Sequence, residues 1–286
     1  MIEESGIDLE KIESTKILYA KYPNITYDTT LAKQQKKHSI KEKIKQEYLQ
    51  KKYQYKNENF SIIATDGSKK EGEVGCGILF DTHKYKFKLP NYSSIYTAEL
   101  YAIYKTITIA KTKSITKILI ITDSMSALQG IKNNKQEHFI INKILSTLDE
   151  TTNLVLLWVP SHIGIIENEI ADALAQEAGG GGAEVEMGMS IDEGVNICET
   201  SMRNNWKLEW QQMKYFSVKI NPLLKKTNLN LNRRDQVVLD RLRCDNPRFK
   251  YKHFYSNEIP LKCQCGETQK LEHVLKCNKF KIERCR

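Results

Sequence analysis

The chain has no apolar run long enough to cross a bilayer, since a spanning helix needs about 20 consecutive apolar residues. Its opening stretch, MIEESGIDLEKIESTK, lacks the basic and apolar regions of a secretory signal. The 7 cysteines are odd in number and unevenly spread, which excludes a regular disulfide framework. Reduced thiols in an intracellular protein follow, with nucleus and cytoplasm left open. No internal repeat is visible, and no membrane partner is expected. What is left is a 286-residue chain, long enough for one good-sized core and a smaller region beside it.

Acidic charge is scarce, and its distribution is uneven. The net charge is +9, but residues 61–178 hold 12 Lys against 13 acids and are close to neutral. Residues 1–60 hold 12 Lys against 9 acids, and residues 179–286 hold 20 Lys or Arg against 13 acids. Basic flanks around a neutral middle favour a polyanionic partner held mainly by the flanks. Lysines that merely solvate the surface are the alternative.

Residues 1–58 form a polar lead-in, densest at KQQKKHSIKEKIKQEYLQKKYQYK, readable as a solvated helix or as disordered chain. From Ser61 the pattern changes. Strands are expected near 61–66, 73–80 and 83–89, joined by the hairpin connections KKEGE and DTH. A helix follows near 95–111, where Leu100, Ile103, Tyr104 and Ile107 recur at helical spacing. Then come a strand at 116–121, helical segments at 125–132 and 138–149, a strand at 153–159 and a helix at 166–178. Antiparallel strands followed by alternating helix and strand give an α/β fold, a mixed five-stranded sheet with flanking helices. Gly179–Gly182 is expected to stop the last helix and open a flexible linker over 179–190. Beyond it lies a small, mainly helical, basic region over 191–286, where Trp206 and Trp210 fall on one helical face as packing surface.

Four acids stand out in the middle segment. Asp66 ends SIIATD and Asp123 ends ILIITD, both at carboxyl ends of β-branched runs, where open α/β sheets place their sites. Glu99 lies early in the helix between them, and Asp172 on the helix after the final strand. Converging carboxylates repel, and hard oxygen donors favour Mg2+ or Mn2+ over zinc. Two such ions clamp a phosphoryl group for in-line attack by water.

TDGS at 65–68, TAELYAI at 97–103, TDSMSAL at 122–128 and WVPSHIGIIENEIADALA at 158–175 together resemble the four motifs of the ribonuclease H family, in order. The resemblance covers about residues 61–178. It implies a ribonuclease H-like fold, two metal ions bridged by Asp66, and hydrolysis of the RNA strand of an RNA–DNA hybrid. Glu99 and Asp123 would complete the leaving-group metal site, and Asp172 the site that activates water. WVPSHIG matches the mobile loop that places a histidine beside the scissile phosphate, which assigns His162 a proton-shuttle role. Ser161 stands where the usual pattern has Gly. Glu169 is either a supporting acid or a solvent-facing one. Gly67 and Ser68 would contact the 2′-hydroxyl that separates RNA from DNA. NNKQEHF at 133–139 leaves no room for the basic protrusion of some family members.

Near the end, CQCGETQKLEHVLKC brings Cys263, Cys265, His273 and Cys277 into metal-ligand spacing. His273 and Cys277 lie one helical turn apart, and Cys263–Gly266 would form a knuckle. The set fits one tetrahedral zinc ion, with unliganded thiols as the alternative and Cys285 as a substitute ligand. With the preceding RRDQVVLDRLRCDNPRFKYKHF, this tail resembles the one that follows ribonuclease H in insect non-LTR retrotransposon polyproteins. That resemblance implies a carboxyl-terminal fragment of a reverse transcriptase polyprotein. A non-catalytic nucleic-acid-binding remnant is the rival reading. Protein partners are unknown.

Overall fold

A computed structural model describes residues 11–13, 24–35, 41–135, 137–213, 218, 231–243, 262–269, 273 and 276–280. The chain divides into two compact units, Met1–Cys198 and Glu199–Arg286. Among the described residues no helix is long and apolar enough to cross a membrane.

The first unit is built on a seven-stranded mixed sheet. Its strands are β1 (Ile25–Asp28), β2 (Ser61–Lys70), β3 (Glu73–Phe80), β4 (His83–Leu89), β5 (Lys117–Thr122), β6 (Asn153–Trp158) and β7 (Ala183–Glu184). They lie in the order β1-β6-β5-β2-β3-β4-β7. β2, β3 and β4 pair antiparallel, whereas β2, β5, β6 and β1 run parallel. β5 reads KILIIT and buries every residue after its first. A continuous β-branched run of this kind is what a strand covered on both faces requires.

Helices cover both faces. Ser94 caps α3 (Ile95–Thr112) by accepting from the Thr97 N–H, and Leu100, Ile103 and Ile107 are fully buried beneath it. Each such side chain contributes about 1.5–3 kcal/mol relative to leaving it in water. On the other face lies α6 (Ile166–Gly181). Gly67 meets α3, and a Cβ there would stand 2.7 Å from the Glu99 nitrogen. Gly77, which pairs with Asp66, meets α6, and its Cβ would stand 2.4 Å from the Ala171 carbonyl oxygen. Since adjacent residues of a strand face opposite sides, the two helices sandwich the sheet. They bring Glu99 and Asp172 toward Asp66. α4 (Met125–Lys132) and α5 (Phe139–Thr147) fill the connection between β5 and β6.

The five expected strands are all present, and four expectations need correction. β2 does not stop at Asp66 but continues to Lys70, because its antiparallel ladder with β3 outlasts its parallel ladder with β5. The lead-in is not separate chain: β1 pairs with β6, and α1 (Thr30–Gln35) and α2 (Lys41–Asn57) follow it. Ile44 and Tyr48 of α2 are buried because they fall on one helical face.

The glycine run does end α6, as expected, but it is not a linker. α6 continues through Gly181, and Gly182 packs on the backbone of β4 at Lys88. The chain after it straps back over the sheet. Val185 N–H donates to the Lys88 carbonyl (2.9 Å), Tyr92 hydroxyl to the Met187 carbonyl, and Met189 bridges to Ile12. Buried Glu193, in the first turn of α7 (Ile191–Gln212), accepts from the Ser94 N–H (2.6 Å) and the Ser190 N–H (2.8 Å). In the second unit, α8 (Arg233–Arg243) carries the basic stretch. Trp206 is exposed, contrary to its expected packing role.

Candidate active site

Asp66 lies two residues past the end of the parallel ladder between β2 and β5, while still paired with Gly77 of β3. Asp123 follows β5 directly, and its backbone carbonyl accepts from the Trp158 indole N–H (2.9 Å). Glu99 occupies the second turn of α3 and is buried. One oxygen from each of Asp66, Glu99 and Asp123 lies within 4.8 Å of the others. Asp172 falls outside this trio, but its negative charge acts on Asp66. Its own Oδ1 accepts from Gln176 Nε2 (2.8 Å).

Burial, followed by the negative charges of Asp123 and Asp172, pushes Asp66 up to about 8. Burial, followed by Asp66 and Asp123, raises Glu99 well above the ordinary carboxyl range. Among the described residues no lysine or arginine pairs with any of the three, and Glu99 Oε2 is buried without a hydrogen-bond partner. Converging, poorly solvated oxygen donors with an orphaned lone pair fit a hard divalent cation. Cys76 is fully buried beside them, which sequence spacing did not indicate. Burial and the nearby Glu99 and Asp66 charges push its thiol far up, so the donor set stays all-oxygen.

Asn168 is the other residue that spacing missed. It is buried in the first turn of α6, and its Nδ2 donates to Asp123 Oδ2 (3.2 Å). It lies four residues before Asp172, one turn away on the same face, and that spacing was the available signal. Glu169 is exposed, which favours its solvent-facing alternative. His162 is exposed at the tip of the β6–α6 loop, with a left-handed backbone (φ 54). Gly67 is buried with its N–H turned toward the acids, and Ser68 keeps more accessible surface.

A family model described as RNase H matches residues 57–179. Residues 57–179 form an RNase H domain. The chain is 31% identical over 142 residues to Ribonuclease H1 of Homo sapiens, covering 42% of this chain and 50% of that protein. It is 32% identical over 139 residues to Ribonuclease H1 of Rattus norvegicus, covering 41% and 49%. It therefore spans about half the length of these relatives. RNase H1 from the halophilic archaeon Halobacterium salinarum NRC-1 aligns at a TM-score of 0.32 and 18% identity, over 41% of this chain and 96% of that one.

Outside the RNase H domain, the second unit holds a different cluster. Cys263, Cys265, His273 and Cys277 each offer a ligand atom within 4.8 Å of the others. Cys263 Sγ lies 3.8 Å from Cys277 Sγ, and Cys265 Sγ lies 3.3 Å from His273 Nε2. The knuckle turns at Gly266 (φ 93), whose N–H donates to the Cys263 carbonyl (2.8 Å). Glu267 Oε2 contacts His273 Nδ1 (2.7 Å), which directs Nε2 at the thiols. Cys285 lies outside the described residues.

Proposed function

We propose that the chain is a metal-dependent endoribonuclease that hydrolyses the RNA strand of RNA–DNA hybrids. The observation that carries this reading is the convergence of Asp66, Glu99 and Asp123 within the RNase H domain. Asp66, Glu99, Asp123 and Asp172 would hold two Mg2+ or Mn2+ ions, with Asp66 shared. When bound, the pair supplies a charge clamp on the scissile phosphate and an activated water. Asn168 keeps the Asp123 carboxylate in place. His162 gives or takes a proton beside the phosphate, a task an imidazole can perform. Ser68 and the Gly67 backbone meet the 2′-hydroxyl, and the basic flanks hold the duplex.

Matched RNA–DNA, RNA–RNA and DNA–DNA duplexes, each with and without magnesium, test this. Magnesium-dependent cleavage of the hybrid alone is the expected result. Binding without cleavage would instead favour a non-catalytic remnant of a retroelement polyprotein.

The second unit supports a further reading. A tetrahedral set of three thiolates and one imidazole suits zinc, and we propose one zinc ion on Cys263, Cys265, His273 and Cys277. Metal analysis of protein purified without chelator is expected to find about one zinc per chain, from one four-ligand site. Protein free of zinc would leave a basic helical appendage. The tail's resemblance also supports descent from an insect-type non-LTR retrotransposon. Genomic copies preceded by a reverse transcriptase frame are expected; copies consistently lacking one would overturn that origin.

A further inference from the structure

The loop that presents His162 is firmly based but weakly directed from within. Val159 and Ile165 at its ends are buried in the core. The N-cap of α6, which it enters, is Ile165, whose apolar side chain offers no capping hydrogen bond to the first turn. The first turn is held from outside. Glu167 Oε2 accepts from the Tyr48 hydroxyl (2.9 Å), and Glu167 Oε1 pairs with Lys52 Nζ. Lys45 Nζ covers Gly164, where an added Cβ would stand 2.3 Å from it.

All three contacts come from α2, more than a hundred residues earlier. Positions 45, 48 and 52 follow helical spacing, so one face of α2 is turned to the loop. Tyr48 is only 2% exposed, yet its hydroxyl is used on a residue 119 positions away. Burial alone would raise the Glu167 carboxyl, but the Lys52 and Tyr48 hydrogen bonds outweigh it and hold the group ionised. α2 is itself anchored. Ile44 is buried, Lys51 Nζ bonds Asp28 Oδ2 of β1 (2.6 Å), and Tyr55 packs edge-on to Phe60 at 5.3 Å. A helix fixed to the sheet on one side and bonded to the loop's exit on the other has the form of a brace.

We propose that α2 braces the histidine loop, with Tyr48 and Lys52 as positioning residues that set His162 through Glu167. The inference rests on the proposed role of His162. It gives the amino-terminal segment a part in the reaction that its lysine content alone did not suggest.

The test uses the full chain carrying Tyr48→Phe and Lys52→Gln together, changes that remove the bonds and keep the packing. Amide hydrogen exchange over residues 160–166 is expected to quicken about tenfold, as befits loss of a charge-assisted hydrogen bond. Hybrid cleavage is expected to fall about tenfold in kcat by the same bond loss, with KM unchanged. In a His162→Ala background the same pair is expected to change kcat less than about twofold, because coupled residues are not additive. Unchanged exchange at 160–166 overturns the brace whatever the activity. An equal kcat loss in both backgrounds also overturns it, leaving α2 a plain strut. Should the unaltered chain cleave no hybrid, the proposed activity fails, while the exchange result still decides the brace.

Discussion

The acidic trio and the Cys/His cluster are both sets of converging ligand atoms, but they are built in opposite ways. Asp66, Glu99 and Asp123 come from two strands and a helix of one large sheet. Their convergence follows from pairing of β2 with β5 and from α3 lying on that sheet. Burial and mutual repulsion disfavour their charges, so the fold holds them together at a cost. Cys263 and Cys277 are only 14 residues apart, and short turns do the gathering. Where a core builds the site, a metal is a guest; where short turns build it, a metal is part of the fold.

The largest effect expected is on Asp66. Asp66→Asn should lower hybrid cleavage at least a thousandfold, on the order expected when a shared charge-stabilising group is lost. In metal-free protein the same change should hold or raise the melting temperature, because it removes a group whose ionisation burial and neighbouring carboxylates oppose. Calorimetry beside a cleavage assay checks both, and a clear fall in melting temperature would mean the trio supports the fold. Cys277→Ser should act the other way. Metal analysis should find the zinc gone and hydrogen exchange over 262–269 quickened, with the domain's melting transition unmoved. A shift in that transition would erase the contrast.

Asn168→Ala is a smaller perturbation. Freed of its hydrogen bond, Asp123 should bind metal about tenfold more weakly, the low end of the range for groups that orient ligands. Magnesium titration of cleavage and calorimetric Mn2+ binding should move together. The smallest effect concerns an ion pair that works without metal. Burial alone would raise Asp28, but hydrogen bonds from Lys51 and Thr30 outweigh it and hold the group below its ordinary value. A depressed folded pKa gives stability that is present above the unfolded value and lost as pH falls through the folded one. Between about pH 5 and pH 2 the unaltered protein should therefore lose more melting temperature than Asp28→Asn. Parallel curves would show that the pair contributes nothing.

Much of this was legible in the residues. β3 and β4 begin and end where the alternation and the KKEGE and DTH turns put them, since local turn chemistry fixes a hairpin. The convergence of Asp66, Glu99 and Asp123 was readable because two of them follow β-branched runs and the third lies early in a helix; Asp172 falls outside that trio. Other features depended on distant partners. Nothing local shows that Glu193 will be buried against Ser94, or that Tyr48 will spend its hydroxyl on Glu167. Four consecutive glycines suggest slack by composition, but close approach to Glu73 and to the β4 backbone makes Gly179 and Gly182 contact surface. Cys76 gave no sign because a lone apolar-facing thiol has no spacing pattern.

The bridge between Ile12 and Met189 has a topological consequence. Glu13 N–H donates to the Met189 carbonyl (3.1 Å) and Met189 N–H to the Lys11 carbonyl (2.7 Å), so residues 11–13 and 189 lie side by side although about 180 positions separate them. A module whose entrance and exit are neighbours can sit inside a loop of another protein without pulling that loop apart, as inserted domains do. Here the neighbours are residues 11–13 and Met189, held in register by those two backbone hydrogen bonds.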